Sequence, residues 1–178
     1  MHAMFWRHIR LTAGESKLVL AYVTVSLFGA VLAFCAVTRL SDGAMIVRAP
    51  TQYEVWICLC GAIGAAAGLY LARHRLGQPG LAGLWQAVIG MALICFAGSL
   101  IAGTLALPLY GTMFGPFTLT VILAGSPFLA ALWVTNLFGA HLLMGQWRTE
   151  RDSIFAAGQV SARFTPRPGR HGAAIPHP

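Results

Sequence analysis

The sequence predicts an all-α integral membrane protein, a four-transmembrane-helix bundle with both termini in the cytoplasm. Three observations lead to this fold class. The 178 residues are 57% hydrophobic and only 10% charged, whereas soluble domains carry about 25% charged residues. Four apolar segments each have roughly the 20 residues that a helix needs to cross a bilayer. Most basic residues lie on one side of these segments, as the positive-inside rule requires of a cytoplasmic face.

The first crossing is predicted over residues 18–37, after a basic amphiphilic segment at residues 1–17 that we expect in the cytoplasm. The apolar run ends without a small-x-small cleavage pattern, so we expect it to remain as a membrane anchor. Gly29 and Ala33 stand four residues apart within it. This small-xxx-small spacing lets the backbone of another helix come close.

The second crossing, predicted over residues 55–72, is crowded with small residues. Gly61, Gly64 and Gly68 fall on one helical face, and the last two form a GxxxG motif. Such a face indicates close helix contact. Packing within the bundle and docking of a partner protein are both open at this point, because Gly and Ala are common in membrane helices.

The third crossing is predicted over residues 81–105, after a tight turn that makes it an antiparallel neighbour of the second. The connection that follows, residues 107–116, holds two prolines, two glycines and no charged residue. We therefore expect it not to be a continuous helix. It is predicted either as an interfacial loop or as a docking surface or segment that dips into a cavity.

The fourth crossing is predicted over residues 117–144. Pro127 lacks an amide hydrogen, so we expect a kink near Ser126, whose hydroxyl could satisfy the freed carbonyl group. Asn136 is expected to need a hydrogen-bond partner on a neighbouring helix or a polar ligand. His141 is predicted to reach the membrane interface. Residues 145–178 form a basic cytoplasmic tail, predicted to be disordered from about residue 165.

The orientation follows from the 12 Lys and Arg residues. Ten would face the cytoplasm and two, Arg39 and Arg48, the opposite side, so we expect a multi-pass protein of a bacterial cytoplasmic (inner) membrane. The net charge of +7 is then a signal of topology, and we expect no nucleic-acid partner.

The predicted crossings contain few residues that could take part in catalysis, proton transfer or metal binding. They contain no Asp, Glu, Lys or Arg, the residues on which proton relays and many ion-coupled transporters depend. The histidines lack the helical spacing that binds haem or metal. Cys58 and Cys60 point to different sides of a helix and do not form a redox pair. We therefore expect no enzyme activity, no cofactor, and no catalytic or metal-binding residue.

These observations favour a non-catalytic integral membrane subunit or assembly factor that packs against a larger membrane protein complex of respiratory, photosynthetic or export type. Its expected partners are other integral membrane proteins and the lipid bilayer. The alternative is a small transporter or channel subunit that acts as a homo-oligomer, with Pro127 and Asn136 near its pathway. A membrane enzyme that acts on lipid is a third class, for which the sequence offers no evident nucleophile, acid or base.

Overall fold

The fold is known from a computed structural model that describes residues 12–40 and 49–164. The regular elements of these residues are helices: α1 (Ala13–Leu40), α2 (Gln52–Ala72), α3 (Gly80–Ala106), α4 (Gly111–Gly125) and α5 (Pro127–Phe164). All but α4 are long and apolar enough to cross a membrane. The predicted all-helical class is thus confirmed for this part of the chain, which contains four helices long and apolar enough to cross a membrane. Arg48, the tail from residue 165 and most of the predicted N-terminal segment lie outside it.

The order of the helices in space is simple. Helix α2 packs between α1 and α3, α5 packs on the other side of α1, and α4 packs mainly on α3. The start of α1 lies beside the polar part of α5, since a Cβ atom on Gly14 would be 2.6 Å from Glu150 Oε2. The turn between α2 and α3 also meets α5 here, through Gly77 and Gly145. We call this the basic end, because Arg73, Arg75, Arg148 and Arg151 gather at it.

Helix α2 begins earlier than the sequence analysis placed it, because a capping box starts it at the opposite end of the bundle. The amide of Thr51 donates to Glu54 Oε2 at 2.6 Å, and the amide of Glu54 donates to Thr51 Oγ1 at 3.3 Å. Each side chain thereby satisfies a backbone donor that the first helical turn leaves unpaired. Glu54 is buried as a result.

The turn between α2 and α3 is fastened to α5 by two side chains. The amide of Gly77 donates to His141 Nδ1 at 3.0 Å. Arg148 Nη2 donates to the carbonyl oxygens of Arg73 and His74 at 2.8 and 3.1 Å, which satisfies acceptors left over at the end of α2. His141 is only 9% exposed and accepts this hydrogen bond from the turn; its place at the membrane interface stays a prediction.

The predicted fourth crossing, residues 117–144, is divided between two helices. Ser126 is extended (φ −146°, ψ 92°) and separates α4 from α5. Its Oγ accepts from the amide of Leu129 at 3.4 Å, and Pro127 takes the first helical position. Serine at the N-cap followed by proline is a helix start, so the chain breaks here instead of kinking, and Ser126 caps an amide instead of satisfying a carbonyl.

The fourth long apolar helix is therefore α5, which continues through the first part of the predicted tail to Phe164. The connection 107–116 also differs from its expected form. Only residues 107–110 are non-helical, and Pro116 lies inside α4. Pro116 is the sixth residue of α4, so it removes one hydrogen bond of the helix, the one to the carbonyl of Thr112.

Helix α4 leads from α3 to α1. At its start, Gly111 and Gly115 lie against Gly103 of α3. At its end, a Cβ atom on Gly125 would lie 3.0 Å from Arg39 Nη1 of α1. The guanidinium group of Arg39 thus stands at the carbonyl end of α4, where a positive charge is favourable.

Both ends of α4 lie in the half of the bundle away from the basic end. Trp133 of α5 touches Cys95 of α3, which sets these two residues at one level. At 1.5 Å rise per residue, Gly103 lies about 12 Å beyond Cys95 and Pro127 about 9 Å beyond Trp133, both away from the basic end. Helix α4 therefore begins and ends in this half of the bundle, whose outer end we call the far end.

The fastening of the turn can be tested with two glycines of equal conformation. Gly77 and Gly80 have φ of +75° and +82°, so alanine at either site is strained by about 1–2 kcal/mol. A Cβ atom at position 77 would also lie 2.7 Å from the amide nitrogen of Gly145, whereas position 80 has no atom within 4 Å. Gly77→Ala should therefore lower the melting temperature in detergent, followed by circular dichroism, more than Gly80→Ala. Equal decreases in melting temperature would show that the contact between Gly77 and α5 adds nothing to stability.

Candidate functional site

The contact between α1 and α2 is made by small residues. A Cβ atom on Gly29 would lie 2.5 Å from Ala65 Cβ and 2.6 Å from the carbonyl oxygen of Gly61. A Cβ atom on Gly61 would lie 2.6 Å from Ala33 Cβ. The structure thus brings Gly29, Ala33 and Gly61 together, at a backbone separation that larger side chains would prevent.

The other two glycines of α2 face a different helix. A Cβ atom on Gly64 would lie 2.7 Å from Ala102 Cβ, and one on Gly68 would lie 2.9 Å from the carbonyl oxygen of Ile94. Both contacts are with α3. The glycine face of α2 is therefore divided between two neighbours, and in the structure its contacts are internal to the bundle.

An apolar cavity of about 210 Å³ lies between the helices in the half of the bundle nearer the far end. Helices α1, α2 and α3 form its walls, α4 covers it, and α5 contributes Trp133. None of its lining residues is charged, and small or apolar side chains predominate, among them Ala33, Ala36, Gly61, Ala102, Leu119 and Ile122.

A layer of aromatic and sulfur-containing side chains closes the cavity toward the basic end. The Trp133 ring stacks on Phe28 of α1 with a centroid distance of 5.7 Å, and its Nε1 donates to Cys95 Sγ of α3 at 3.2 Å. Beyond this layer the core is filled by the fully buried Leu69, Leu76, Leu137 and Met144. The cavity is thus confined to one half of the bundle.

The outer surface of α4 carries a row of exposed apolar side chains. Met113, Phe117 and Val121, which we call the α4 ridge, are 84%, 65% and 49% exposed. Their four-residue spacing places them along one row of the helix surface. Leu109, just before the helix, is 88% exposed and has a left-handed backbone with φ of 75°. Helix α4 therefore has two apolar faces, one over the cavity and one turned outward.

Among the polar residues that the sequence singled out, Ser126 and Pro127 form the start of α5, away from the cavity lining. Asn136 lies on α5, and its Nδ2 is buried with no acceptor among the described residues. An unpaired buried donor costs about 1–3 kcal/mol. Asn136 is not a lining residue of the cavity, so the structure does not bring it together with the space that a ligand could occupy.

Several residues with defined roles were missed by the sequence analysis. The pattern Thr51-x-x-Glu54 is a capping-box signature and could have been recognised. The contact between Trp133 and Cys95 and the position of Arg39 beside Gly125 join distant parts of the chain, so no local pattern announces them. In the part of the chain that the structure describes, no group of three or more His, Cys, Asp or Glu residues is placed to hold a metal ion.

The helix contacts can be tested with a matched pair of glycine substitutions. At Gly64 an added methyl group would meet Ala102 Cβ at 2.7 Å and the backbone of α3, whereas at Gly139 of α5 it would meet nothing within 4 Å. Overpacking costs about 1–3 kcal/mol, while alanine favours a helix over glycine by about 1 kcal/mol. Gly64→Ala should lower the melting temperature in detergent, and Gly139→Ala should preserve or raise it. A Gly64→Ala protein as stable as the parent would contradict the close contact.

Comparison of the chain with protein-family models, with curated proteins and with solved structures gives no match. The functional reading therefore comes from the chain's own geometry, above all from the two faces of α4 and the cavity beneath it.

Proposed function

We propose that the chain is a non-catalytic integral membrane subunit or assembly factor, and that it binds another integral membrane protein through the α4 ridge. The exposure of Met113 and Phe117 is the observation that supports this most. Exposed apolar side chains also occur on the other helices, where lipid can cover them, but a row of side chains spaced by four residues is in addition a surface that fits between the rows of a second helix.

The backbone of Leu109 adds to this proposal. A left-handed conformation in a bulky residue costs about 1–2 kcal/mol, and such strain is concentrated at functional sites. Here it occurs next to the ridge, and the leucine side chain is exposed instead of packed inside the bundle. The side chain gains no contact within the core from this conformation. Contacts with a partner that covers Leu109 would offset its cost.

Three polar side chains of the bundle support a structural role. Glu54 caps α2, His141 accepts from the turn between α2 and α3, and Arg148 donates to carbonyl groups at the end of α2. Each of these side chains is engaged in holding the fold. The interior space that remains is apolar, which suits packing and assembly better than acid–base or nucleophilic chemistry.

We place the small transporter or channel subunit second. A transported polar solute needs a path with polar partners, and the cavity ends at the layer of Trp133, Phe28 and Cys95. Asn136, the polar residue expected near such a path, is outside the cavity. The transporter or channel alternative requires that this chain form a homo-oligomer.

In the proposed orientation the basic end faces the cytoplasm of a bacterial cell, with the far end outside. Single cysteines at Ser41 and His74, each in a cysteine-free background, test this. A membrane-impermeant maleimide should label Ser41→Cys in intact cells, and should label His74→Cys only after the membrane is opened. Labelling of position 74 in intact cells would reverse the orientation.

The ridge can be tested with two residues of equal exposure. Phe117 on the ridge and Leu27 on α1 are both 65% exposed. A photo-crosslinking amino acid at position 117 should give a discrete adduct with a different membrane protein, and at position 27 it should give lipid adducts. Phe117→Ala should also reduce co-purification of the same protein after mild detergent extraction, whereas Leu27→Ala should not.

Two results would count against the subunit proposal. Equal crosslinking at positions 27 and 117 would show that the ridge faces lipid. Adducts only between copies of this chain would favour the homo-oligomeric transporter or channel.

A further inference from the structure

We propose that the cavity beneath α4 is a binding site for one acyl chain of a membrane phospholipid whose phosphate group lies at Arg39. This inference is independent of the function proposed above, since it uses the inner face of α4 and the helices below it. The size, the lining, the access and the nearby charge of the cavity each restrict the ligand.

The size of the cavity excludes large occupants. At about 210 Å³ it exceeds the roughly 150 Å³ cavity that holds one benzene molecule, and it falls below the roughly 300–1,000 Å³ of pockets for larger ligands. A second transmembrane helix, about 10–12 Å wide with its side chains, does not fit between α4 and Trp133. A slender hydrocarbon segment does.

The lining restricts the chemistry of the ligand. Four lining side chains, Tyr53, Ser99, Thr118 and Trp133, carry a hydroxyl or indole N–H group, and those of Ser99 and Trp133 are already engaged. The Ser99 hydroxyl donates to the carbonyl of Phe96 at 3.0 Å, and Trp133 donates to Cys95. A polar molecule would lose its hydrogen bonds to water on entering. A hydrocarbon chain loses none and gains van der Waals contacts that an empty cavity forgoes.

The access and the charge indicate which hydrocarbon enters. Helix α4 is packed along α3 but meets α1 and α5 at few places, so both of these edges are loose. On the edge toward α1, Ala36 and Val37 line the cavity, and Arg39 follows within one turn, with an exposed side chain beside Gly125. A guanidinium group is well suited to bind a phosphate. A phospholipid can thus place its phosphate at Arg39 while one acyl chain passes beneath α4.

Trp133 offers a direct readout because it lines the cavity and is only 3% exposed. In the full chain, every other tryptophan is replaced by phenylalanine, and the protein is placed in phosphatidylglycerol vesicles whose acyl chains carry bromine, which quenches indole on contact. We expect Trp133 emission to fall relative to vesicles without bromine. A second variant that keeps only Trp85, which is 71% exposed, reports direct lipid contact. Unquenched Trp133 beside quenched Trp85 would overturn the proposal.

Filling the cavity gives the matched control. Ala36→Leu places a larger side chain in the cavity, and Ala131→Leu makes the same change at an exposed position of α5. Ala36→Leu should restore Trp133 emission in brominated vesicles, and Ala131→Leu should leave the quenching unchanged. Circular dichroism shows whether Ala36→Leu folds, and Ala106→Leu, another lining position, replaces it if it does not. Full quenching in a folded, filled variant would show that bromine reaches Trp133 by another route and would overturn the site.

The headgroup is tested separately with Arg39→Gln. This variant should be quenched less than the parent by brominated phosphatidylglycerol at low mole fraction in unbrominated phosphatidylcholine. Quenching by a brominated free fatty acid, which carries no phosphate, should be weaker than quenching by the phospholipid in the parent protein. Equal quenching of parent and Arg39→Gln, or stronger quenching by the fatty acid, would overturn the assignment of a phospholipid.

Discussion

The structure depends on the close approach of three helix backbones at glycine and alanine. In a bilayer, apolar side chains gain little by leaving lipid for a neighbouring helix, so association relies on van der Waals contact between closely fitted surfaces. Gly29 and Gly61 provide this contact between α1 and α2, and Gly64 and Gly98 provide it between α2 and α3. Several of these residues also line the cavity. These residues have small side chains or none. The space that opens between the helices toward the far end is therefore left unfilled.

The two ends of the bundle are held together by different forces. At the basic end, His141 and Arg148 of α5 form hydrogen bonds with the turn between α2 and α3, so three helices are joined by directional contacts. At the far end, α4 is held along α3 by glycine contacts and reaches α1 beside Arg39. Regions with few buried contacts open at the lowest free-energy cost. Opening of the bundle is therefore expected first at the edges of α4 with α1 and α5.

Much of this fold could be predicted from the sequence, because membrane crossings depend on local hydropathy and length. The positions of α1, α2 and α3 followed from apolar runs bounded by charged or turn-forming residues. The break at Ser126 was interpreted as a kink because Pro127 lies within a long apolar run, although serine followed by proline is also a helix start. The path of α4 could not be predicted, since it is set by contacts such as those between Gly111 and Gly103 and between Gly125 and Arg39. A cavity is likewise a property of several helices at once, and no single segment encodes its volume.

The two faces of α4 are physically connected because they belong to one short helix. At 15 residues it is about 22 Å long, too short to cross a hydrocarbon core of about 30 Å, so it is held by side contacts alone. A chain bound beneath it and a protein bound to the α4 ridge would act on the same rigid segment. Either ligand can change the affinity of the other only to the extent that it binds two positions of α4 with different affinity. Without a second position of α4, the two sites would be occupied independently, even though both are built on the same short helix.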